Sequence, residues 1–157
     1  MPVNSNLLLL PGKIAEFAAR LASGTIPAEH VLFDIRSGDD YIGLTELEVS
    51  GAGKSRLKSN QTQGRLLVWR TAEISGKRAT ALIKAFHDNE IWNLPSTRPG
   101  MPDERGIRVV LRYRSRAWAR TFWLGEVSAD RRWLSFHDEV QKIVDTLGRG
   151  RVLDWAN

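Results

Sequence analysis

The sequence predicts an α+β fold: an antiparallel sheet of about five or six strands with two or three helices packed on one face. The first observation behind this class is residues 107–124, where apolar and basic side chains alternate with a period of two, as in a half-buried strand pair. The second is another pair of strand-like runs, 42–50 and 56–59, on either side of the glycine-rich turn 51–53. The third is that a segment with apolar residues at helical spacing follows later in each half of the chain.

The composition predicts one globular domain. At 157 residues the chain is in the size range of a single domain. Its 42% of hydrophobic residues is a little below the usual share for globular proteins, and its 26% of charged residues is ordinary. We divide the chain into an N-terminal helix at 11–23, a sheet-and-helix core at 31–148 and a short tail at 149–157. There is no cysteine, which excludes disulfides and thiolate metal sites. The formal net charge of +5 favours acidic or polyanionic partners.

The first residues predict neither secretion nor membrane insertion. They carry no basic segment ahead of the apolar run Leu7–Leu10, and that run ends at Pro11, whereas a signal peptide has a basic start and a longer apolar region. A membrane-spanning helix needs about 20 apolar residues. Because the lack of cysteine also fits a reducing compartment, we expect a cytoplasmic protein.

In the first half of the chain, turn and cap residues set the limits of the elements. Pro11 suits the first position of a helix and Gly24 its end. The apolar stripe of that helix is Ile14, Phe17, Ala18 and Leu21. Residues 31–36 form a predicted strand, and the polar run 37–41 a predicted turn.

The second half continues with a strand, a helix and the hairpin. Residues 65–74 form a predicted strand, and Ser75 is the predicted N-cap of a helix that ends near Asn89. The segment 96–104, rich in proline and glycine, is an exposed connection of the kind that often carries binding residues. A last helix ends at Gly148. Its apolar stripe is Trp133, Phe136, Val140, Ile143, Val144 and Leu147.

The hairpin at 107–124 has an apolar and a basic face. If Ser115 and Arg116 form its two-residue loop, Tyr113 lies opposite Trp118, and directly opposed residues share a face. The apolar face is then Ile107, Val109, Leu111, Tyr113, Trp118, Phe122 and Leu124. Arg120 is the one charged residue on that face, and we expect its stem to carry the guanidinium group to the edge.

The basic face of the hairpin is the predicted partner-binding surface. In the register above Arg108 lies opposite Trp123, where a guanidinium group over an indole ring is favourable by about 0.5–1 kcal/mol at an exposed site. Tryptophan and arginine are also the residues most often found as anchors of interfaces. The predicted partner-binding residues are Arg108, Arg112, Arg114 and Trp123 on this face, with Arg98 and Met101 on the connection before it.

No motif predicts a catalytic, cofactor-binding or metal-binding residue. The run 51–55, GAGKS, has the end of a phosphate-binding loop, but Glu48 occupies the place of the first glycine and no amphipathic helix follows. His30, His87 and His137 are the three histidines, and no two have the i, i+4 spacing of a helical metal site. His87 and His137 each precede an aspartate, which we do not expect them to contact on a helix.

The order of several segments resembles the emfourin-type small proteins, which are cytoplasmic inhibitors of thermolysin-like metallopeptidases. These segments are the glycine-turned strand pair, the helix end FHDNEIWNLP at 86–95, the acidic pair Asp103–Glu104, the alternating hairpin and the closing amphipathic helix. The resemblance covers about residues 42–148, with no counterpart for residues 1–41 or for the tail. It implies a protein-binding module and carries over no individual inhibitory residue.

We therefore expect a non-enzymatic protein-interaction domain, an inhibitor or accessory subunit, that uses no cofactor and binds another protein through the basic face of the hairpin. The first alternative is nucleic-acid binding through the same basic face, because nucleic-acid binders usually concentrate positive charge on one face. The second is a small hydrolase-like enzyme whose site is assembled from distant residues. A homodimer that buries the Trp123 face is also consistent with an apolar group rimmed by charge, and no membrane contact is expected.

Overall fold

The computed structural model describes residues 11–39, 43–60, 66–95 and 105–149. Short 3-10 turns lie at Ala28–His30 and Ile91–Asn93. The strands and helices of the described residues are α1 (Pro11–Ala22), β1 (Val31–Asp39), β2 (Gly43–Ser50), β3 (Lys54–Asn60), β4 (Leu66–Glu73), α2 (Gly76–Asp88), β5 (Gly106–Tyr113), β6 (Arg116–Trp123), α3 (Leu124–Val127) and α4 (Arg131–Gly148).

The six described strands form one sheet in the order β4-β3-β2-β1-β5-β6, with every neighbouring pair antiparallel. Strands β1 to β4 follow one another as a meander, and the chain then returns through α2 so that β5 pairs with β1. Helix α2 contacts both α1 and α4, and α4 contacts β3 and β4. The helices and the apolar face of the sheet enclose one core. The predicted α+β fold, an antiparallel sheet with helices on one face, is confirmed.

Side-chain caps fix where the two long helices behind the sheet begin. The Ser75 hydroxyl accepts a hydrogen bond from the Arg78 backbone N–H at 3.2 Å, which confirms the predicted N-cap of α2. The Asp130 carboxylate caps α4 by accepting from the Arg132 N–H at 2.9 Å. The side chain of Arg132 also donates to Asp130, and this hydrogen bond holds the pKa of that carboxyl below its usual value.

The core is centred on Phe86 of α2, which is 1% exposed. Its ring centroid lies 5.5 Å from Phe33 of β1, 5.4 Å from Trp118 of β6 and 6.1 Å from Phe136 of α4. Trp92, in the 3-10 turn after α2, is a further neighbour at 5.4 Å and is half-buried. One aromatic side chain therefore joins the sheet, two helices and the segment that leads away from α2.

Strand β1 is longer than the sequence predicts. The predicted turn at 37–41 is wrong for residues 37–39, because Ser37 pairs with Thr45 and Ile107 inside the sheet. Gly38 has a φ of +87°, and a Cβ there would lie 2.0 Å from the carbonyl oxygen of Gly43 on the neighbouring strand. A glycine in what looks like a polar turn thus allows two strands to approach closely and continue.

Candidate interaction surfaces of the β5–β6 hairpin

The β5–β6 hairpin forms where the alternation predicts it, but in a different register. Its two-residue loop is Arg114–Ser115, with φ of +54° at Arg114, so that Tyr113 pairs with Arg116 and Leu111 with Trp118. The predicted loop, one residue later, and the pairing of Tyr113 with Trp118 are wrong. Because the error moves each partner by two residues, every side chain keeps its predicted face.

The register has a steric cause at the open end of the hairpin. Trp123 lies opposite Gly106, and a Cβ on Gly106 would come within 2.8 Å of the Trp123 ring. In the register predicted from the sequence Trp123 faces Arg108, which cannot offer the same space. Arg108 instead lies opposite Thr121, so the predicted direct stacking of Arg108 with Trp123 is wrong.

The face of the hairpin that points away from the helices carries cations that meet no acidic partner among the described residues. Arg108 is exposed and Arg112 is partly exposed, and no described carboxylate forms an ion pair with either. Trp123 is partly exposed on the same face. We call Arg108, Arg112 and Trp123 the outer face of the hairpin. The structure brings these three predicted partner-binding residues together.

The neighbouring strands β1 to β3 differ from the hairpin on this side of the sheet, because ion pairs join several of their charged side chains. Arg36 lies directly opposite Arg108, and its Nε is 3.6 Å from Asp34 and 3.9 Å from Glu46. Arg56 donates to Glu48 at 2.5 Å. Asp34 of β1 and Glu46 and Glu48 of β2 are therefore engaged with cations other than those of the hairpin.

A buried patch lies beside the outer face of the hairpin. Val110 of β5 is 3% exposed and lies opposite Asp34 of β1, which is 5% exposed. The Oδ1 atom of Asp34 accepts no hydrogen bond from the described part of the chain, and its ion-pair partner there is Arg36. The surface next to Arg108 and Arg112 is thus formed by a buried apolar side chain and a buried carboxylate.

The remaining predicted site residues do not join this face. Arg114 is exposed in the loop, and its Cζ lies 5.4 Å from the centroid of the Tyr113 ring, on the helix side of the hairpin. There it lines a groove between α1 and the hairpin loop. Arg98 and Met101 lie outside the described residues. The structure therefore divides the predicted basic set between two sides of the sheet.

Arg120 has a structural role that the sequence analysis missed. It points towards the helices, where its Nη1 donates to the Trp92 carbonyl at 2.7 Å and its Nη2 donates to the Leu94 carbonyl. Its Cζ also lies 5.0 Å from the centroid of the Phe122 ring. Burial lowers the pKa of Arg120, an effect that the nearby Glu126 carboxylate opposes. The sequence signal for this contact was a single charged residue at an inward-facing position of an alternating strand.

His87 lies on α2 and His137 on α4. His87 Nδ1 lies 2.9 Å from Asp88 Oδ1 at the end of α2, so the expectation that these adjacent residues do not touch is wrong. His137 is partly buried beside Trp133 in α4, and burial lowers its pKa. No cluster of three or more potential metal ligands occurs among the described residues.

Arg120 and Arg108 provide a test of which hairpin arginine supports the fold. We expect Arg120→Met to lower the free energy of unfolding by about 2–4 kcal/mol, because it leaves two partly buried carbonyls without a charged donor. Arg120→Lys retains the charge but not the two-pronged donor geometry, so an intermediate loss is expected. Arg108→Met, the matched control, should change stability by less than about 0.5 kcal/mol. Equal losses in urea denaturation for Arg120→Met and Arg108→Met would contradict this assignment.

His137 predicts how stability depends on pH. Its pKa in the folded protein is lowered from 6.5, chiefly by burial and against the effect of Asp138. Between the folded and the unfolded pKa, the unfolded chain therefore binds more protons at His137 than the folded chain does. The stability that His137 contributes is present above the unfolded pKa and is lost as the pH falls through the folded pKa. When the pH is lowered from about 7.5 to about 5.5, urea denaturation should show a larger loss in the free energy of unfolding for the natural chain than for His137→Gln. Parallel pH profiles would show that His137 is not the titrating group.

Comparison with known proteins gives no family for this chain. No protein-family model matches it, and no curated protein has a significantly similar sequence. None of the described helices combines the length and apolar composition needed to cross a lipid bilayer.

Proposed function

We propose that this chain is a non-enzymatic protein-interaction domain, an inhibitor or accessory subunit, that binds an acidic segment of another protein through the outer face of the hairpin. The observation that carries the proposal is the contrast in charge pairing across one side of the sheet. Arg36 and Arg56 are held by carboxylates, whereas Arg108 and Arg112 meet none in the described part of the chain. Two cations on an interior strand of the sheet are thus available to an external acid.

The chemistry of these side chains suits a peptide that combines acidic and apolar residues. A guanidinium group binds a carboxylate through two parallel hydrogen bonds, which gives both strength and orientation. Trp123 adds a partly exposed ring at the open end of the hairpin, fixed in place over Gly106. An aromatic anchor beside arginines is the usual composition of an interface hot spot.

The nucleic-acid alternative is less well supported by the distribution of charge. Proteins that bind single strands use a continuous basic groove along which the phosphates run. On this side of the sheet Glu46 and Glu48 occupy β2, two strands away from the hairpin arginines. A short acidic segment can meet Arg108 and Arg112 without crossing those carboxylates, whereas a longer polyanion that runs in that direction passes over them.

The proposal is tested with a fluorescent peptide in which glutamates flank a single leucine, titrated by anisotropy. We expect the double variant Arg108→Glu/Arg112→Glu to weaken binding by about tenfold or more, because it replaces charge-assisted hydrogen bonds by repulsion. Trp123→Ala should weaken binding severalfold with no change in net charge. The control is Lys77→Glu/Lys84→Glu, two exposed lysines on α2 that give the same change in charge away from the face.

The control decides between a defined surface and general attraction. Unchanged binding in the outer-face variant, or an equal loss in the α2 control, would refute the proposed surface. If an oligonucleotide of about 20 residues binds more tightly than the peptide, and the outer-face variant loses this binding, the nucleic-acid alternative replaces the peptide proposal. If the natural chain self-associates and Trp123→Ala makes it monomeric, the face is a homodimer interface instead.

A further inference from the structure

A groove on the opposite side of the same hairpin has the composition of a small-ligand site. It has a volume of about 570 Å³ and lies between α1 and the hairpin loop, within the roughly 300–1,000 Å³ range of small-molecule sites. Its lining residues are Lys13, Glu16, Phe17, Arg20, Ile26, Tyr113, Arg114, Ser115 and Arg116. No local sequence pattern predicts this groove, which depends on α1 packing beside the hairpin loop.

The described residues that line the groove carry more positive than negative charges. Glu16, the one acid among the described lining residues, accepts a hydrogen bond of 2.7 Å from Arg20 between successive turns of α1. The other cations are Lys13, Arg114 and Arg116, and none of them forms an ion pair with a described carboxylate. An anion that enters the groove therefore meets three cationic side chains and a carboxylate that is already engaged.

The floor of the groove is aromatic. Phe17 and Tyr113 are both half-buried, with ring centroids 5.3 Å apart. The Arg114 guanidinium lies over the Tyr113 ring, which orients it at the loop end of the groove. Phe17 and the half-buried Ile26 leave an apolar wall for a ligand to cover.

We propose that this groove binds a small organic phosphate with an apolar or ring-shaped body. The phosphate group lies among Arg114, Arg116 and Lys13, because a dianion with three acceptor oxygens matches several cationic donors better than a single carboxylate does. The body of the ligand covers Phe17 and Ile26. This site is independent of the proposed peptide surface: the two lie on opposite sides of the sheet and share no residue.

The test is a titration of the full chain with phenyl phosphate and with adenosine monophosphate, followed by amide chemical shifts. We expect saturable shifts at residues that line the groove, and binding about tenfold or more tighter than that of inorganic phosphate or of phenol, since each of these lacks one half of the ligand. The variant Arg114→Glu/Arg116→Glu should weaken binding by about tenfold or more. Its amide spectrum should keep the dispersion of the folded chain, because both side chains are exposed.

The same α2 control, Lys77→Glu/Lys84→Glu, separates a site from general attraction and should bind as the natural chain does. Absence of saturable binding by either probe, equal loss in the control, or groove shifts with the glutamate peptide and not with the phosphates would overturn the proposal. A loss of phenyl phosphate binding confined to the Arg114/Arg116 variant, beside a loss of peptide binding confined to the Arg108/Arg112 variant, identifies two sites. Each of the two sites can be refuted while the other is supported.

Discussion

The pairing of β5 with β1 on one side and β6 on the other is the constraint on which the rest of the structure depends. Ile107, Val109 and Leu111 are completely buried against the helices, and their burial fixes which way every other residue of β5 points. Because the side-chain period of a strand is two, Arg108 and Arg112 must lie on the other side. The hydrophobic core thereby positions the cations that the proposed function uses.

The arginines of the hairpin differ in role because they differ in direction. Arg120 points inward and replaces solvent for two backbone carbonyls of the segment after α2, so it supports the fold. Arg108 points outward, directly opposite Arg36, an arrangement that like charges disfavour. Natural sequences are locally consistent except at functional or strained sites, and a cation that meets no described carboxylate and lies beside a like charge departs from that consistency.

Local patterns in the sequence were sufficient for the elements and the faces but not for their contacts. The alternation of residues 107–124 and the cap at Ser75 are encoded in neighbouring residues, and both predictions are confirmed. The hairpin register was not accessible in this way, because two loops one residue apart keep the same alternation and the choice depends on Trp123 meeting Gly106. The contact of Arg120 with Trp92 and Leu94 joins distant segments, which no local pattern reports.

The groove beside α1 was missed for the same physical reason. Lys13, Glu16 and Arg20 look like the solvated side of an amphipathic helix, and only the packing of Phe17 on Tyr113 places them beside Arg114. The fold thus presents cations on both sides of one hairpin, with different surroundings on each side. Charged residues that are scattered along the chain acquire distinct roles through tertiary structure alone.

The separation of the two sides of the hairpin is tested most directly by disulfide formation, since the chain contains no cysteine. Arg112 and Ala117 are directly opposed on one face, whereas Arg116 pairs with Tyr113 on the other. Oxidation of the double variant Arg112→Cys/Ala117→Cys should give an intramolecular disulfide, and Arg112→Cys/Arg116→Cys should remain reduced because its Cβ atoms point apart. A disulfide in the second variant and none in the first would place Arg112 and Arg116 on one face and contradict the account.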